Sequence, residues 1–334
     1  MQSFTPDEQL SQAVEKSLSA FLDRRSAEVP DASTLIDEIR AMIAAGGKRL
    51  RPAFCYWGYR AAGAPHGTEI VAAAASLELL HSFALIHDDV MDSAHTRRGR
   101  RTINASHGTS FAILAGDLAL VLADDAFMSS GFSDAQVTRA FSAYSRMRRE
   151  VIAGQLLDIS AESQMPSVAD ARKIALLKSG RYTVSEPLII GAVLAGGSVD
   201  LQSQLGAIGD CAGEAFQLRD DLLGTFGSPG STGKATDSDI RQGKHHFLFA
   251  HAVSALSGDV RDRFVSMWGQ DDLADDDVEQ LRDTLDATGS RTAAQALIES
   301  LHRDAHRALE AAPIDGIARD EIGALIDRAI LRDE

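Results

Sequence analysis

Apolar residues recur at three- and four-residue spacing from about residue 8 to the end of this 334-residue chain, alanine and leucine dominate, and β-branched runs are scarce. That period is the signature of helices with one buried face, so the spacing predicts an all-α chain. At 45% hydrophobic residues there is ample apolar surface for a core. Breakers fall at 44–52 ("AAGGKRLRP"), 61–67 ("AAGAPHG"), 129–134 ("SSGFSD"), 162–167 ("ESQMPS") and 227–234 ("GSPGSTGK"). Each reads as a connection between helices, and none as a domain linker. The expectation is a single domain over 1–334 with ten or more helices. The acidic tract at 271–277 ("DDLADDD") reads as a solvated loop or a helix start.

Charge narrows the partners. Lysine and arginine total 33 against 48 acidic residues, a net charge of −15, which argues against nucleic acid or an anionic membrane surface as the main partner. Any anion site is therefore local. Cys55 and Cys211 stand far apart in sequence and suggest neither a disulfide framework nor a thiolate metal site, which fits a reducing cytoplasm. The start "MQSFTPDEQL" lacks a basic, then apolar, leader, and later apolar stretches are interrupted by acids. A cytoplasmic protein with no integral membrane segment is expected.

The stretch "LIHDDVMDSAHTRRGR", residues 85–100, packs Asp88, Asp89 and Asp92 into five positions and follows them with Arg97, Arg98 and Arg100. On a helix over about 70–92, His81, Asp88 and Asp92 share one face. Like charges one turn apart repel unless a cation lies between them. A second acidic site, "FQLRDDLLGTFG" at 216–227, repeats the pattern, with Gln217, Asp220 and position 224 on one side of a helix. Oxygen-only ligands suit Mg²⁺, which commonly joins carboxylates to a substrate phosphate. Cations complete the set: Lys48, Arg49 and Arg51 after a diglycine, Arg97 and Arg98 after the first acids, and Lys178, Lys234 and Lys244 near helix ends. In a chain of this net charge such clusters suit oxyanions, with arginine as a fork and lysine as a point charge.

Taken in order, "GGKRLRP", "LLHSFALIHDDVMDSAHTRRG", "LAGD", "GQLLD", "LLKSG", "FQLRDD" and the "GK…GK" stretch of 233–244 resemble the trans-isoprenyl diphosphate synthases, or polyprenyl synthetases. The resemblance covers nearly the whole chain. It implies the isoprenoid synthase fold, helices around a central cavity with the two aspartate motifs at its mouth, and a homodimer. The implied reaction joins isopentenyl diphosphate to an allylic diphosphate (dimethylallyl, geranyl or farnesyl diphosphate). By that resemblance Asp88, Asp92 and Asp220 hold Mg²⁺, and Arg97, Lys178, Gln217 and Lys234 contact the allylic diphosphate. Asp89 and Asp221 are supporting acids. Lys48, Arg51, His81 and Arg98 match the isopentenyl diphosphate site, with Lys244 near the same region, and Gln155 with Asp158 match a supporting pair. His87 is a packing or hydrogen-bonding neighbour.

The chain departs from the pattern at Gly224, where the last aspartate of the second motif is usual, and at Arg101, Ser179, Ala235 and Asp237. A class I terpene cyclase is disfavoured because the isopentenyl-site cations are present and the cyclase metal motif is not. A non-catalytic subunit is disfavoured because the first aspartates and following arginines are intact. Product length has one handle. Phe83 and Ala84 lie five and four residues before Asp88, about 7.5 and 6 Å deeper along the helix. In the family an aromatic at the first of these positions without one at the second accompanies twenty-carbon products. Geranylgeranyl diphosphate is therefore the expected product, with farnesyl or longer chains as alternatives.

Overall fold

The computed structural model describes residues 6–227, 237–270 and 272–331. Helices α1 (Pro6–Glu28), α2 (Ser33–Ala44), α3 (Leu50–Ala61) and α4 (Thr68–Met91) lead to a short hairpin, β1 (Thr96–Arg97) and β2 (Arg100–Arg101). Then come α5 (Ile103–His107), α6 (Thr109–Met128), α7 (Asp134–Ser163) and α8 (Val168–Ala175), which runs into a π-helical segment, Leu176–Ser185. The described chain ends with α9 (Glu186–Leu194), α10 (Val199–Phe226), α11 (Ser238–Arg241), α12 (Phe247–Ala255), α13 (Gly258–Met267), α14 (Asp275–Ala287), α15 (Ser290–Ala311) and α16 (Gly316–Ile330). The all-α expectation and the expectation of ten or more helices both hold. Of the tract at 271–277, the described residues 272–277 lead into α14, whose first turn carries Asp275, Asp276 and Asp277, the favoured end of a helix for negative charge.

The chain packs as two compact units. The first comprises residues up to Ala143 with Pro187–Ser203 and Pro313–Ile322. Its centre is α4, along which α6 packs closely, with α1, α2 and α3 against other sides. Ile70, Ala73, Ala74, Leu77, Leu79, Leu80 and Ile86 are almost fully buried, so α4 is apolar on nearly every side, as a central core helix must be. It is also the one helix among the described residues long and apolar enough to cross a membrane, and it is mostly buried in the protein. Each fully buried leucine or phenylalanine of this kind contributes about 1.5–3 kcal/mol. Burial also pushes the Cys55 thiol of α3 up to about 12, so it stays a neutral packing group.

The second unit comprises Tyr144–Glu186, Gln204–Ala312 and the chain from Gly323 onward. A capping box opens α8: Ser167 Oγ accepts from the Asp170 backbone N–H (3.2 Å), and Asp170 Oδ2 accepts from that of Ser167 (3.1 Å). Within the π-helical segment Gly180 meets Gly213 of α10 backbone to backbone, and Gly154 of α7 meets the backbone of Lys178. Any side chain at these crossings would overlap main chain. Two helices can thus approach the segment closely and fix where Lys178 points. Phe249, Phe264 and Trp268 form an aromatic cluster, with ring centroids 5.2 to 5.8 Å apart, that seals α12 against α13.

Candidate active site

In the first unit, Asp88 and Asp89 lie in the last turn of α4 and Asp92 caps its end. The hairpin that follows folds Arg97 back onto them. Its Nε donates to Asp89 Oδ1 (2.7 Å) and its Nη2 to Asp88 Oδ2 (3.1 Å). Thr102 Oγ1 donates to the Ala94 carbonyl at 2.6 Å and caps α5, which fixes the far end of the hairpin. Asp89 is buried, and its Oδ2 has no hydrogen-bond partner among the described residues. Burial pushes its carboxyl up, Arg97 opposes this, and the charges of Asp88 and Asp92 push it further up. Such a cluster favours cations.

The basic side of this unit is built on strained backbone. Arg49, Ser93 and Arg98 all have left-handed φ near +50°, uncommon outside glycine. The Arg98 guanidinium donates to the Gly46 carbonyl, and the guanidinium groups of Arg49 and Arg98 both lie beside Gly47. Burial, then the charges of Arg51, Arg98, Arg97 and Arg49, hold His81 well below the usual histidine range. These groups surround a neutral imidazole with guanidinium charge, as expected of an oxyanion site. Lys48 is exposed at its edge. Arg49 plays a different part from its neighbours. It turns inward to the buried Glu78 (2.7 Å), the Ile43 carbonyl (2.7 Å) and Glu15 (3.3 Å). Phe83 is buried, its ring set edge-on to His87 at 4.9 Å, while Ala84 is partly exposed. His87 Nε2 lies 3.2 Å from the Ile113 carbonyl, the neighbour role expected of it.

In the second unit, Gln217, Asp220 and Asp221 lie on α10. Gln217 Nε2 donates to Asp221 Oδ1 at 2.7 Å. Asp221 is raised well above the carboxylate range, first by burial and then by the charges of Asp239, Asp220 and Asp158, while the Gln217 bond acts the other way. Lys178 Nζ reaches Asp158 Oδ2 at 2.6 Å, so the π-helical segment and α7 share a salt bridge. Lys244 Nζ lies 4.0 Å from Glu162 Oε1. Lys234 lies outside the described residues. At Gly224 a Cβ would overlap Asp239 Oδ2, so the carboxylate of α11 occupies the space where a side chain at 224 would begin. Sequence reasoning missed Asp239. It also missed the Arg49–Glu78 pair, for which the one available signal was a lone acid in the apolar run "ASLELLHSF".

Helices that carry an acidic cluster in each unit, with a guanidinium pocket in the first, define an all-α protein with the isoprenoid synthase fold. The polyprenyl synthetase family model matches residues 33–285, and the chain belongs to that family. It is 33% identical to the geranylfarnesyl diphosphate synthase of Aeropyrum pernix over 87% of this chain and 92% of that protein. It is 35% identical to a (2E,6E)-farnesyl diphosphate synthase of Mycobacterium tuberculosis over 75% of this chain and 70% of that one. A solved geranylgeranyl pyrophosphate synthase from Corynebacterium glutamicum, complexed with isoprenyl diphosphate and magnesium, superposes with a TM-score of 0.93 at 34% identity, over 99% of this chain and 100% of that one. The chain is a trans-prenyltransferase of isoprenoid biosynthesis.

Proposed function

We propose that the protein condenses isopentenyl diphosphate with an allylic diphosphate to give geranylgeranyl diphosphate. The observation that carries this reading is the pairing of crowded carboxylates at the end of α4 with the guanidinium pocket around His81. Arg97, Lys178, Gln217 and Lys234 bind and neutralise the allylic diphosphate as it leaves. Lys48, Arg51, Arg98 and neutral His81 hold isopentenyl diphosphate, with Lys244 nearby. The allylic cation is then attacked by the isopentenyl double bond and a proton is lost. No side chain is assigned as base.

Mg²⁺ fits the acids. The donors are all carboxylate oxygens, the supporting acid Asp89 beside them keeps Oδ2 buried with no hydrogen-bond partner among the described residues, and both Asp89 and Asp221 are raised first by burial and further by neighbouring carboxylates. When bound by Asp88, Asp92 and Asp220, Mg²⁺ supplies positive charge at the departing diphosphate. Asp239 presents the carboxylate that Gly224 lacks. The reading takes 1–334 as one catalytic domain.

Two further features belong to this reading. Phe83 is the stop for the growing chain and Ala84 the permissive position beside it, and the relatives' products, from farnesyl to geranylfarnesyl, bracket the twenty-carbon product proposed. A homodimer is supported by Leu114, Val121 and Met128, which lie seven residues apart on α6 and are all exposed. The deciding experiment incubates purified protein with Mg²⁺, isopentenyl diphosphate and each allylic diphosphate in turn, and resolves products by chromatography. Geranylgeranyl diphosphate as main product supports the reading. Another length corrects the product, and no condensation overturns the function.

A further inference from the structure

Away from both acidic motifs, His302 and His306 stand one turn apart on α15, so their rings leave the same face of the helix. Asp327 of α16 lies against both. His302 Nε2 is 2.6 Å and His306 Nε2 is 2.8 Å from the same oxygen, Asp327 Oδ1. The two rings meet nearly edge to face, with centroids 4.6 Å apart. All three side chains are partly exposed, so the cluster can be reached from solvent. One potential ligand atom from each residue falls within 4.8 Å of the other two.

We propose that His302, His306 and Asp327 form a binding site for a borderline transition-metal ion, Zn²⁺ in the first place, that clasps the C-terminal helix to α15. Two imidazole nitrogens and one carboxylate oxygen are a donor set suited to zinc, with a fourth position left for water, and poorly matched to Mg²⁺. Both rings turn the same nitrogen, Nε2, to a common point, as shared coordination requires. The present distances are hydrogen-bond lengths. Ligands about 2.0–2.1 Å from a tetrahedral ion stand about 3.3 Å apart, so ion entry widens each contact by roughly half an ångström. Side-chain rotation at the three residues accommodates that change. The site takes no part in the condensation, and its ion acts on the stability of the C-terminal helix.

The full-length protein is titrated with Zn²⁺ by calorimetry in excess Mg²⁺, which keeps the oxygen-only acidic motifs filled. One Zn²⁺ site is expected, weakened by at least about tenfold in His306→Ala and in Asp327→Asn, since loss of even an outer-shell partner costs about 10–100-fold. No binding by the wild type, or equal affinity in the variants, overturns the proposal. Should the variants fold poorly, the wild type alone decides. Zn²⁺ should protect His302 and His306 from modification by diethyl pyrocarbonate, read by mass spectrometry residue by residue. Unchanged modification of both residues at saturating Zn²⁺ overturns it as well.

Discussion

At position 224 the carboxylate of Asp239, from α11, fills the space in which a side chain of α10 would begin. A carboxylate placed there would collide with Asp239 unless Asp239 withdrew, so Gly224→Asp alone should lower activity and weaken Mn²⁺ binding measured by electron paramagnetic resonance. Asp239→Ala should weaken it too. The exchange Gly224→Asp with Asp239→Gly moves the carboxylate back onto α10 and should recover most of the binding. If the exchange is no better than either single variant, Asp239 is not acting in place of the absent acid. His81 offers a second test. Its proton affinity is held well below the ordinary value of about 6.5 by burial and by Arg51, Arg98, Arg97 and Arg49. Above that pH neither folded nor unfolded state holds the proton. As pH falls below it, the unfolded chain takes up a proton that the folded chain refuses, so stability drops until the folded pKa is reached. His81→Gln should flatten the dependence of urea midpoint on pH in that window, and an unchanged slope would remove His81 as its source. That His81 and Asp88 share one helix with Asp92 at its end was legible in sequence, from the apolar period that runs up to them. Arg49 was not, because the three cations among residues 48–51 look alike until the backbone turns left-handed and sends one of them to Glu78.

At the scale of elements, α4 carries the acids at one end and Phe83 and Ala84, the residues proposed to set product length, a turn and more below them. Phe83 is held by burial and by the edge contact with His87. Phe83→Ala should shift the product distribution to longer chains, and Ala84→Phe should shift it towards farnesyl diphosphate, both read by product chromatography. If neither variant changes product length, the limit lies on another element. The α4 segment could be foreseen from its apolar run and its acidic end. The π-helical segment could not. Leu176–Ser185 has an apolar pattern compatible with an ordinary helix, and the widened turn is enforced by neighbours, Gly213 against Gly180 and Gly154 against Lys178, that lie tens of residues away. Its effect is local and chemical, since it sets the register that brings Lys178 to Asp158.

For the molecule as a whole, the exposed stripe of Leu114, Val121 and Met128 predicts self-association. Sedimentation should show a species of twice the chain mass, and a Leu114→Arg, Val121→Arg double variant should sediment as a monomer. A wild type that is monomeric at all concentrations would leave the stripe without a partner copy. The chain's division into units was not visible in its breakers, because neither unit is a continuous stretch. The first is completed only by residues 187–203 and 313–322. During synthesis, therefore, its opening part, through Ala143, waits for the remainder. At about 5–20 residues per second, the interval before position 322 is made is about 10–40 s. For that time α3, whose Gly58 packs against the Leu188 backbone and whose Cys55 carbonyl packs against Gly191, lacks part of its native surroundings while the ribosome is still at work. A nascent chain of this design leaves an interval in which chaperones can bind it, and slowing its translation should lower the soluble yield.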